Sequence, residues 1–460
     1  MPEPSVISLI PPVVVIALAI GLRRPILSLI MGSIIGLLLI NPSQVLVNFS
    51  QISLKVMADE TIGWLILVCG SFGALIALLV RTGGASAFGR YALKFARGQK
   101  SSLMVTFFLG VIIFIDDYLN ALTVGSTMQR VTDKFHVSRE MLAYVVDSTA
   151  APICVLVPLS TWAVFFGGLL VDNGIAAQGE GLQVYMQAIP YMLYAWLAIM
   201  VVLLVIMGII PAIGTMKTAQ EAALSGKFIA NELDHHDVTT ADEYALKAIE
   251  EEFEQADPHG ALHNFFVPIV LLVGFSVYFD IDIWLGLLAT LAITIPYYWL
   301  QRLMPLSEMM EQMLDGFKSM LPAIGTVVAA FIFKDVCDNL FLSQYVIESL
   351  SPLMTAQFLP AVVFVAMALL AFATGSSWGI FAVSIPIVMP LAQSVNADLP
   401  LVIGALLSAS SFGSQACFYS DSTVLAAQGA GCNLLSHGLT QLPYTLIAAA
   451  LAFVGFILLA

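Results

Sequence analysis

The sequence predicts an all-α polytopic membrane protein. Three observations carry this prediction: the composition, the length of the apolar runs and the polar breaks inside them. Of the 460 residues, 59% are hydrophobic and only 10% are charged, whereas a soluble domain carries about 25% charged residues. Many apolar runs reach the roughly 17–25 residues that cross a hydrocarbon core. We therefore expect nearly the whole chain to lie in a lipid bilayer, with no sizeable soluble domain.

The first half opens with apolar runs over about residues 5–22, 25–41 and 61–82. Loops rich in Lys and Arg stay in the cytoplasm, so Arg23 and Arg24 after the first run place the N-terminus outside. We expect a multi-pass protein of a cell membrane, the bacterial inner membrane. The net charge of −14 argues against a nucleic-acid partner, which requires a basic protein face.

A re-entrant hairpin is predicted next, over about residues 101–135. Basic residues lie on both of its flanks, which places the flanks on the same side of the membrane. Asp116 and Asp117 interrupt the apolar run too early for a complete crossing, so the hairpin tip is expected near the midplane. Irregular backbone at that depth is tolerated only inside protein or beside a wet cavity. A broken helix is predicted to follow, over about residues 137–171.

The second half repeats the pattern at an offset of about 260, with a hairpin over about 352–395 and a broken helix over about 399–427. We divide the chain into a first repeat (1–214), an acidic cytoplasmic linker (215–263) and a second repeat (264–460). About five transmembrane helices and one hairpin are expected in each repeat, and this odd number of spans inverts the second copy. Inverted repeats with broken helices at the midplane are typical of alternating-access transporters.

Acidic and hydroxyl side chains fall at the predicted breaks and are the candidate ion- or substrate-binding residues. A charge at the bilayer centre costs about 2.5–3.5 kcal/mol on insertion scales, so acids at this depth point to a function. Broken helices also expose carbonyl oxygens that coordinate cations. The candidates are Asp116, Asp117, Asn120, Asp147, Ser148, Thr149, Thr374, Ser376, Ser377, Ser410, Ser411, Gln415, Asp421 and Ser422.

Among these candidates we expect sodium to bind at Asp147, Ser148 and Thr149, which offer a carboxylate and two hydroxyls within one helical turn. Lys334 and Asp338 lie at i and i+4 inside another apolar run and share a helix face. Two roles remain open for Lys334 and Asp338: a structural ion pair, or participation in the coupling of transport. No Walker A or HExxH motif is present, so we predict neither ATP-driven pumping nor an enzyme.

The sequence resembles the NhaC-type sodium/proton antiporter family. The resemblance lies in Asp116-Asp117-Tyr118-Leu119-Asn120-Ala121-Leu122-Thr123-Val124-Gly125, in Asp147-Ser148-Thr149-Ala150-Ala151-Pro152 and in Ser420-Asp421-Ser422-Thr423. It implies the ion-transporter superfamily, with two hairpins, frequent homodimers, and no cofactor beyond the transported sodium and protons. Other similar proteins are thought to move amino acids such as methionine, or carboxylates.

These observations predict a sodium-coupled secondary active transporter, and first of all a sodium/proton antiporter. One carboxylate, that of Asp147, would alternate between a proton and a sodium ion, while Asp116, Asp117 and Asn120 organise the hairpin tip. The alternative is a sodium- or proton-coupled transporter of a small amino acid or carboxylate, with the hydroxyls of the second hairpin binding the organic group. A third hypothesis is a passive channel, but broken helices that recur in both repeats favour a transporter over a channel.

Overall fold

The computed structural model describes residues 4–22, 24–84, 87–88, 91, 94–114, 116–225, 261–279, 282–350, 355–375 and 377–460. Within these ranges the chain is helical and contains no β-strand, so the predicted all-α class is confirmed. Ser376 and residues 226–260, which are most of the predicted linker, lie outside the described residues.

In the described part of the first half, the predicted hairpin is preceded by α1 (Ile10–Leu22), α2 (Pro25–Ile40), α3 (Val45–Met57) and α4 (Glu60–Arg81). The hairpin segment forms α5 (Gln99–Ile112) and α6 (Asp117–Lys134). The predicted broken helix forms α7 (Arg139–Thr149), α8 (Ala151–Leu156) and α9 (Thr161–Asp172). Three more helices follow: α10 (Gly181–Ala188), α11 (Leu193–Met207) and α12 (Thr215–Leu224).

The second half begins with α13 (His263–Tyr278), α14 (Ile283–Leu300), α15 (Leu306–Ser319), α16 (Leu321–Asn339) and α17 (Leu342–Leu350). Its predicted hairpin segment forms α18 (Leu359–Thr374) and α19 (Ser377–Ser394). Its predicted broken helix forms α20 (Leu399–Ala416) and α21 (Asp421–Ala430), and α22 (Leu434–Leu459) ends the chain. The first broken helix therefore has an end at Thr149 and the second restarts at Asp421, and both residues are among those that the sequence singles out.

Several of these helices are apolar enough for a membrane protein. By length and composition, the described residues contain five membrane-spanning candidates, or seven when two bent helix pairs are each taken as one span. One bent pair, Arg139–Leu156 with Thr161–Val171, turns by 41° at the predicted break. Five further apolar helices have 10–17 residues. The chain is thus a helical polytopic membrane protein, and the number of ten spans stays a prediction.

Helix positions recur between the halves at one offset. The helices α6 and α19 begin at Asp117 and Ser377, 260 residues apart, and α7 and α20 also begin 260 residues apart. The same serine cap closes both helix breaks. The Ser160 hydroxyl donates to the Cys154 carbonyl (2.6 Å), and the Ser420 hydroxyl, 260 residues later, donates in the same way to the Ser414 carbonyl.

The helices α3 and α15 are among those that lie where the sequence shows no apolar run. Each mixes polar and apolar residues, so no continuous apolar run marks either helix in the sequence. The helix α15 packs closely on α4 because a glycine lies on each side of the contact. A Cβ atom added at Gly73 would lie 2.2 Å from the carbonyl oxygen of Gly316, so only glycine permits this spacing.

The helices α7 and α20, each of which ends at a break, lie in the interior of the molecule. Every residue of α7, from Arg139 to Thr149, is buried, and so is every residue of α20 from Leu401 to Ala416. Asp147, Ser410 and Gln415 therefore lie in the interior and not on the lipid-facing surface. Buried polar groups need hydrogen-bond partners, and those partners define the candidate site.

Candidate cation-binding centre

The candidate centre is built around Asp147, on the last turn of α7. The helix ends two residues later at Thr149, because Ala150 has a ψ of −96° that no α-helix can continue. The Asp147 side chain has no exposed surface. Its carboxylate faces the first turn of α21 and one face of α22, so a first-half acid meets second-half donors.

Four side chains contact the Asp147 carboxylate. The Ser422 hydroxyl lies 3.3 Å from Oδ1, and the Thr423 hydroxyl lies 3.2 Å from Oδ2. Two donors from α22 also reach Oδ2: the Gln441 amide nitrogen at 3.0 Å and the His437 Nε2 at 3.3 Å. Three of these donors are uncharged whatever the pH, and the fourth is charged only when the imidazole is protonated.

The break between α20 and α21 supplies the oxygen atoms next to this carboxylate. The Ser414 carbonyl oxygen lies 2.9 Å from the hydroxyls of both Ser422 and Thr423. Each hydroxyl therefore has its one proton between this carbonyl and the Asp147 carboxylate. The Gln415 carbonyl accepts one from the amide of Gln441. Carboxylate, hydroxyl and unwound-helix carbonyl oxygens are the groups with which broken transporter helices coordinate sodium.

Gln415 joins the two halves on the other side of Asp147. Its amide nitrogen donates to the Ser148 hydroxyl (2.7 Å), and its amide oxygen accepts from the hydroxyl of Tyr194 (2.7 Å). The Thr149 hydroxyl instead donates to carbonyls of its own helix, those of Val145 and Val146. Ser422 and Thr423, and not Ser148 and Thr149, are therefore the hydroxyls in contact with Asp147, and the predicted sodium set stays a prediction.

The tip of the first hairpin is held by Asp116 and Asn120. Asp116 caps α6 by accepting a hydrogen bond from the Leu119 backbone N–H (2.9 Å). Its other oxygen accepts one from the Thr161 hydroxyl (3.1 Å). The two N–H bonds of the Asn120 amide are shared among three carbonyls near helix ends, those of Gly110 (2.7 Å), Ile113 (3.0 Å) and Thr149 (2.8 Å).

Asp117 and Asp421 lie at the first residues of α6 and α21. The phenol of Tyr118 donates to Asp421 (2.6 Å), and the backbone N–H of Ser422 donates to its other oxygen (2.9 Å). Neither buried oxygen of Asp117 accepts a hydrogen bond of normal geometry within the described ranges, and the polar group nearby is the indole of Trp162.

The candidate hydroxyls of the second hairpin and of α20 do not converge on a single site. Thr374 donates to Leu370 of its own helix (2.7 Å), and Ser410 donates to the Ser377 carbonyl (2.8 Å). The Ser377 and Ser411 hydroxyls have no partner among the described residues. None of these four side chains contacts Asp147, so the structure separates them from the centre; Ser376 lies outside the described residues.

An open cavity of about 710 Å³ approaches the hairpin tip. Its deep end is lined by Asp116, Tyr118 and Thr161. Most of its other lining residues carry charges of both signs or aromatic rings; these are Lys55, Asp59, Glu60, Trp64, Phe165, Phe331, Lys334, Asp335 and Asp338. Lys334 binds Asp338 at 2.8 Å, as the i, i+4 spacing predicts, and Lys55 binds Asp335.

Four residues of the centre are absent from the sequence candidates: His437, Gln441, Tyr194 and Thr423, the last of which directly follows the candidate Ser422. The signal for the first two is their i, i+4 spacing in the last apolar segment, which puts an imidazole and an amide on one helix face. Buried polar side chains of this kind need partners in a membrane. Nothing in the sequence pairs Tyr194 with Gln415, because that contact depends on how α11 packs against α20.

Comparison with known proteins adds independent information. A sequence model of the Na⁺/H⁺ antiporter family matches residues 153–460. An uncharacterized protein of Haemophilus influenzae is 30% identical over 98% of this chain and 90% of its own length. A protein of Bacillus subtilis named malate-2H⁺/Na⁺-lactate antiporter is 28% identical over 41% of this chain and 41% of its own length.

Proposed function

The chain belongs to the Na⁺/H⁺ antiporter family, and from this premise we propose that it exchanges sodium ions for protons through the Asp147 centre. The observation that supports this proposal is the buried carboxylate at a helix break. Its contacts are hydroxyls, an amide and an imidazole. No Lys or Arg within the described residues pairs with it. Because a buried charge of this kind is costly when unpaired, the carboxylate requires either a proton or a cation.

Competition for one carboxylate provides the coupling. With a sodium ion bound, the Asp147 carboxylate and the hydroxyl oxygens of Ser422 and Thr423 serve as ligands. With a proton bound, the same carboxyl group is neutral and needs no metal. Since the two states exclude each other, sodium moving one way requires a proton to move the other way.

Alternating access is the motion that we propose for this exchange. The repeated helix positions and the two matching serine caps support two repeats of inverted topology, with the centre at their contact. In such transporters one repeat rocks against the other around a fixed site. We propose a bacterial inner-membrane protein, a homodimer, with the N-terminus outside and the acidic linker in the cytoplasm; the cavity then faces outside.

A second candidate function is supported by the cavity. Its volume of about 710 Å³ exceeds what a sodium ion needs and lies within the range of small-molecule sites. The Bacillus subtilis relative carries the names of two carboxylates. The alternative is therefore sodium- or proton-coupled transport of a small carboxylate or amino acid such as methionine, with the same acids binding the coupling ion.

The test is sodium-evoked proton movement in proteoliposomes of the purified protein. We expect proton movement out of the vesicles when sodium enters, and its loss in Asp147→Asn. The matched control is Asp398→Asn, since Asp398 is exposed and its side chain makes no capping bond. A wild-type protein without any sodium-dependent proton signal would refute exchange, and uptake of labelled carboxylates and amino acids would then test the alternative.

A further inference from the structure

Three other buried carboxylates lie apart from Asp147, and one of them, that of Asp116, lines the cavity. They belong to Asp116 and Asp117 at the start of α6 and to Asp421 at the start of α21. Their exposed fractions are 1%, 0% and 3%. Asp116 and Asp117 are consecutive residues, and Asp421 accepts a hydrogen bond from the next residue, Tyr118 (2.6 Å). Their proximity results from the fold, because α6 and α21 pack against each other from opposite halves of the chain.

This acidic group has no cationic side chain to balance it. In the part of the chain that the structure describes, no ion pair involves Asp116, Asp117 or Asp421. The two lysines of the cavity, Lys55 and Lys334, bind Asp335 and Asp338 instead. Neighbouring carboxyl groups in a buried site cannot all be ionised without a compensating cation. The group therefore needs a bound cation or protons.

Asp117 provides an independent sign of a missing ligand. Asp116 and Asp421 have both of their oxygens occupied by hydrogen-bond donors. The polar side chain beside the completely buried Asp117 is the Trp162 indole, whose single N–H can serve at most one carboxylate oxygen. At least one oxygen of Asp117 therefore has no donor of normal geometry among the described residues. One turn later on the same helix, the side-chain oxygen of Asn120 is also buried without a partner. Buried acceptors are almost always satisfied in folded proteins, and an alkali cation satisfies acceptors without a donor.

The group also has a route to the aqueous phase and a connection to Asp147. Asp116 lines the cavity directly, together with Tyr118, whose hydroxyl binds Asp421. On the inner side, Asp421 precedes Ser422, and the Ser422 hydroxyl contacts Asp147. A cation that enters through the cavity thus meets these carboxylates before it meets Asp147.

We propose that Asp116, Asp117 and Asp421 form a second alkali-cation site, which sodium from the cavity occupies on its way to Asp147. The identity of the cation rests on the proposed function; the existence of the site rests on the unpaired buried acids. The protein accordingly binds two sodium ions, an outer one at this site and an inner one at Asp147, and not a single ion.

Equilibrium binding of radioactive sodium to the purified full-length protein in detergent tests this proposal. Asp147→Asn is expected to retain one of the two bound ions, and Asp147→Asn combined with Asp117→Asn to retain none. Asp117→Asn alone should keep the inner ion. Complete loss of sodium binding in Asp147→Asn alone would overturn the second site. Should Asp117→Asn fail to fold in a thermal-unfolding assay, Asp421→Asn takes its place with the same expected counts.

The binding count separates this inference from the proposed function. A protein that binds two sodium ions but moves no protons would retain the second site and lose the exchange mechanism. A protein that exchanges sodium for protons with one ion bound, at Asp147, would retain the exchange mechanism and lose the second site. Asp398→Asn again serves as the matched control, with both ions expected to remain.

Discussion

Tyr118 and Asp421, which lie 303 positions apart in the chain, are joined by a hydrogen bond of 2.6 Å from the phenol to the carboxylate. Both residues are buried, and each belongs to the first turn of a helix that starts at a break. The bond therefore ties the first hairpin to the second broken helix at the cavity floor. Any movement of one half against the other must strain or break it.

Replacement of this tyrosine should destabilise the protein. In Tyr118→Phe the Asp421 carboxylate loses a donor, and a hydrogen bond to a charged group contributes about 1.5–3 kcal/mol. We expect a lower unfolding temperature in detergent. Tyr419→Phe is the matched control, since its hydroxyl donates to a neutral backbone carbonyl, that of Ala373 (2.8 Å), and the expected loss is about 0.5–1.5 kcal/mol. Equal losses in the two variants would contradict the assignment of a charged partner.

Asn120 should be among the most sensitive polar positions for folding. Its amide is the donor for three buried carbonyls around the hairpin tip, and each buried polar group left unpaired costs about 1–3 kcal/mol. We expect Asn120→Ala to give little folded protein, measured as the monodisperse fraction on size-exclusion chromatography. Asn173→Ala is the control, because the exposed Asn173 donates only to Leu169. A normal yield of Asn120→Ala would show that water replaces the amide.

The sequence is informative about the fold because the membrane imposes a simple rule. Apolar runs and their polar breaks, such as that at Asp116, follow directly from the cost of charge in hydrocarbon. The breaks at Asp116 and Asp147, and the offset of about 260, were therefore accessible from the sequence alone. The helices α3 and α15 were not, since each carries polar residues and lies where no continuous apolar run is visible.

The candidate site was accessible only in part. The sequence marks acids and hydroxyls at the breaks, and Asp147 with Ser422 does form a contact. It does not reveal which hydroxyls meet which acid, because that depends on packing between helices far apart in the chain. Thr149 bonds its own helix instead, and His437 and Gln441 come from a helix with no marked break.

Gly375 should tolerate no side chain. It ends α18 with a φ of +69°, and an added Cβ atom would lie 2.5 Å from the Tyr419 ring. The left-handed conformation alone costs a residue with a Cβ atom roughly 1–2 kcal/mol, and the ring contact adds to that cost. We expect Gly375→Ala to lower the unfolding temperature. In the control Gly168→Ala, nothing lies within 4 Å of the new atom, so the unfolding temperature should be equal or higher, because alanine favours a helix more than glycine does.

Gln441 should set the apparent affinity for sodium. Its amide donates to both the Asp147 carboxylate (3.0 Å) and the Gln415 carbonyl. It therefore fixes the positions of two oxygen atoms of the centre relative to each other. Gln441→Leu removes this common donor, and the loss of about 1.5 kcal/mol for one charged hydrogen bond corresponds to roughly tenfold weaker binding. We expect the half-maximal sodium concentration for proton movement in proteoliposomes to rise by about that factor.

The control for Gln441→Leu is Gln428→Leu, a second glutamine of the C-terminal region, whose amide donates to the Ser319 carbonyl (3.2 Å) outside the centre. Its half-maximal sodium concentration should equal that of the wild type. If Gln441→Leu also left that concentration unchanged while transport continued, α22 would have no part in sodium binding. The proposed centre would then reduce to Asp147 and the first turn of α21, where the hydroxyls of Ser422 and Thr423 contact the carboxylate.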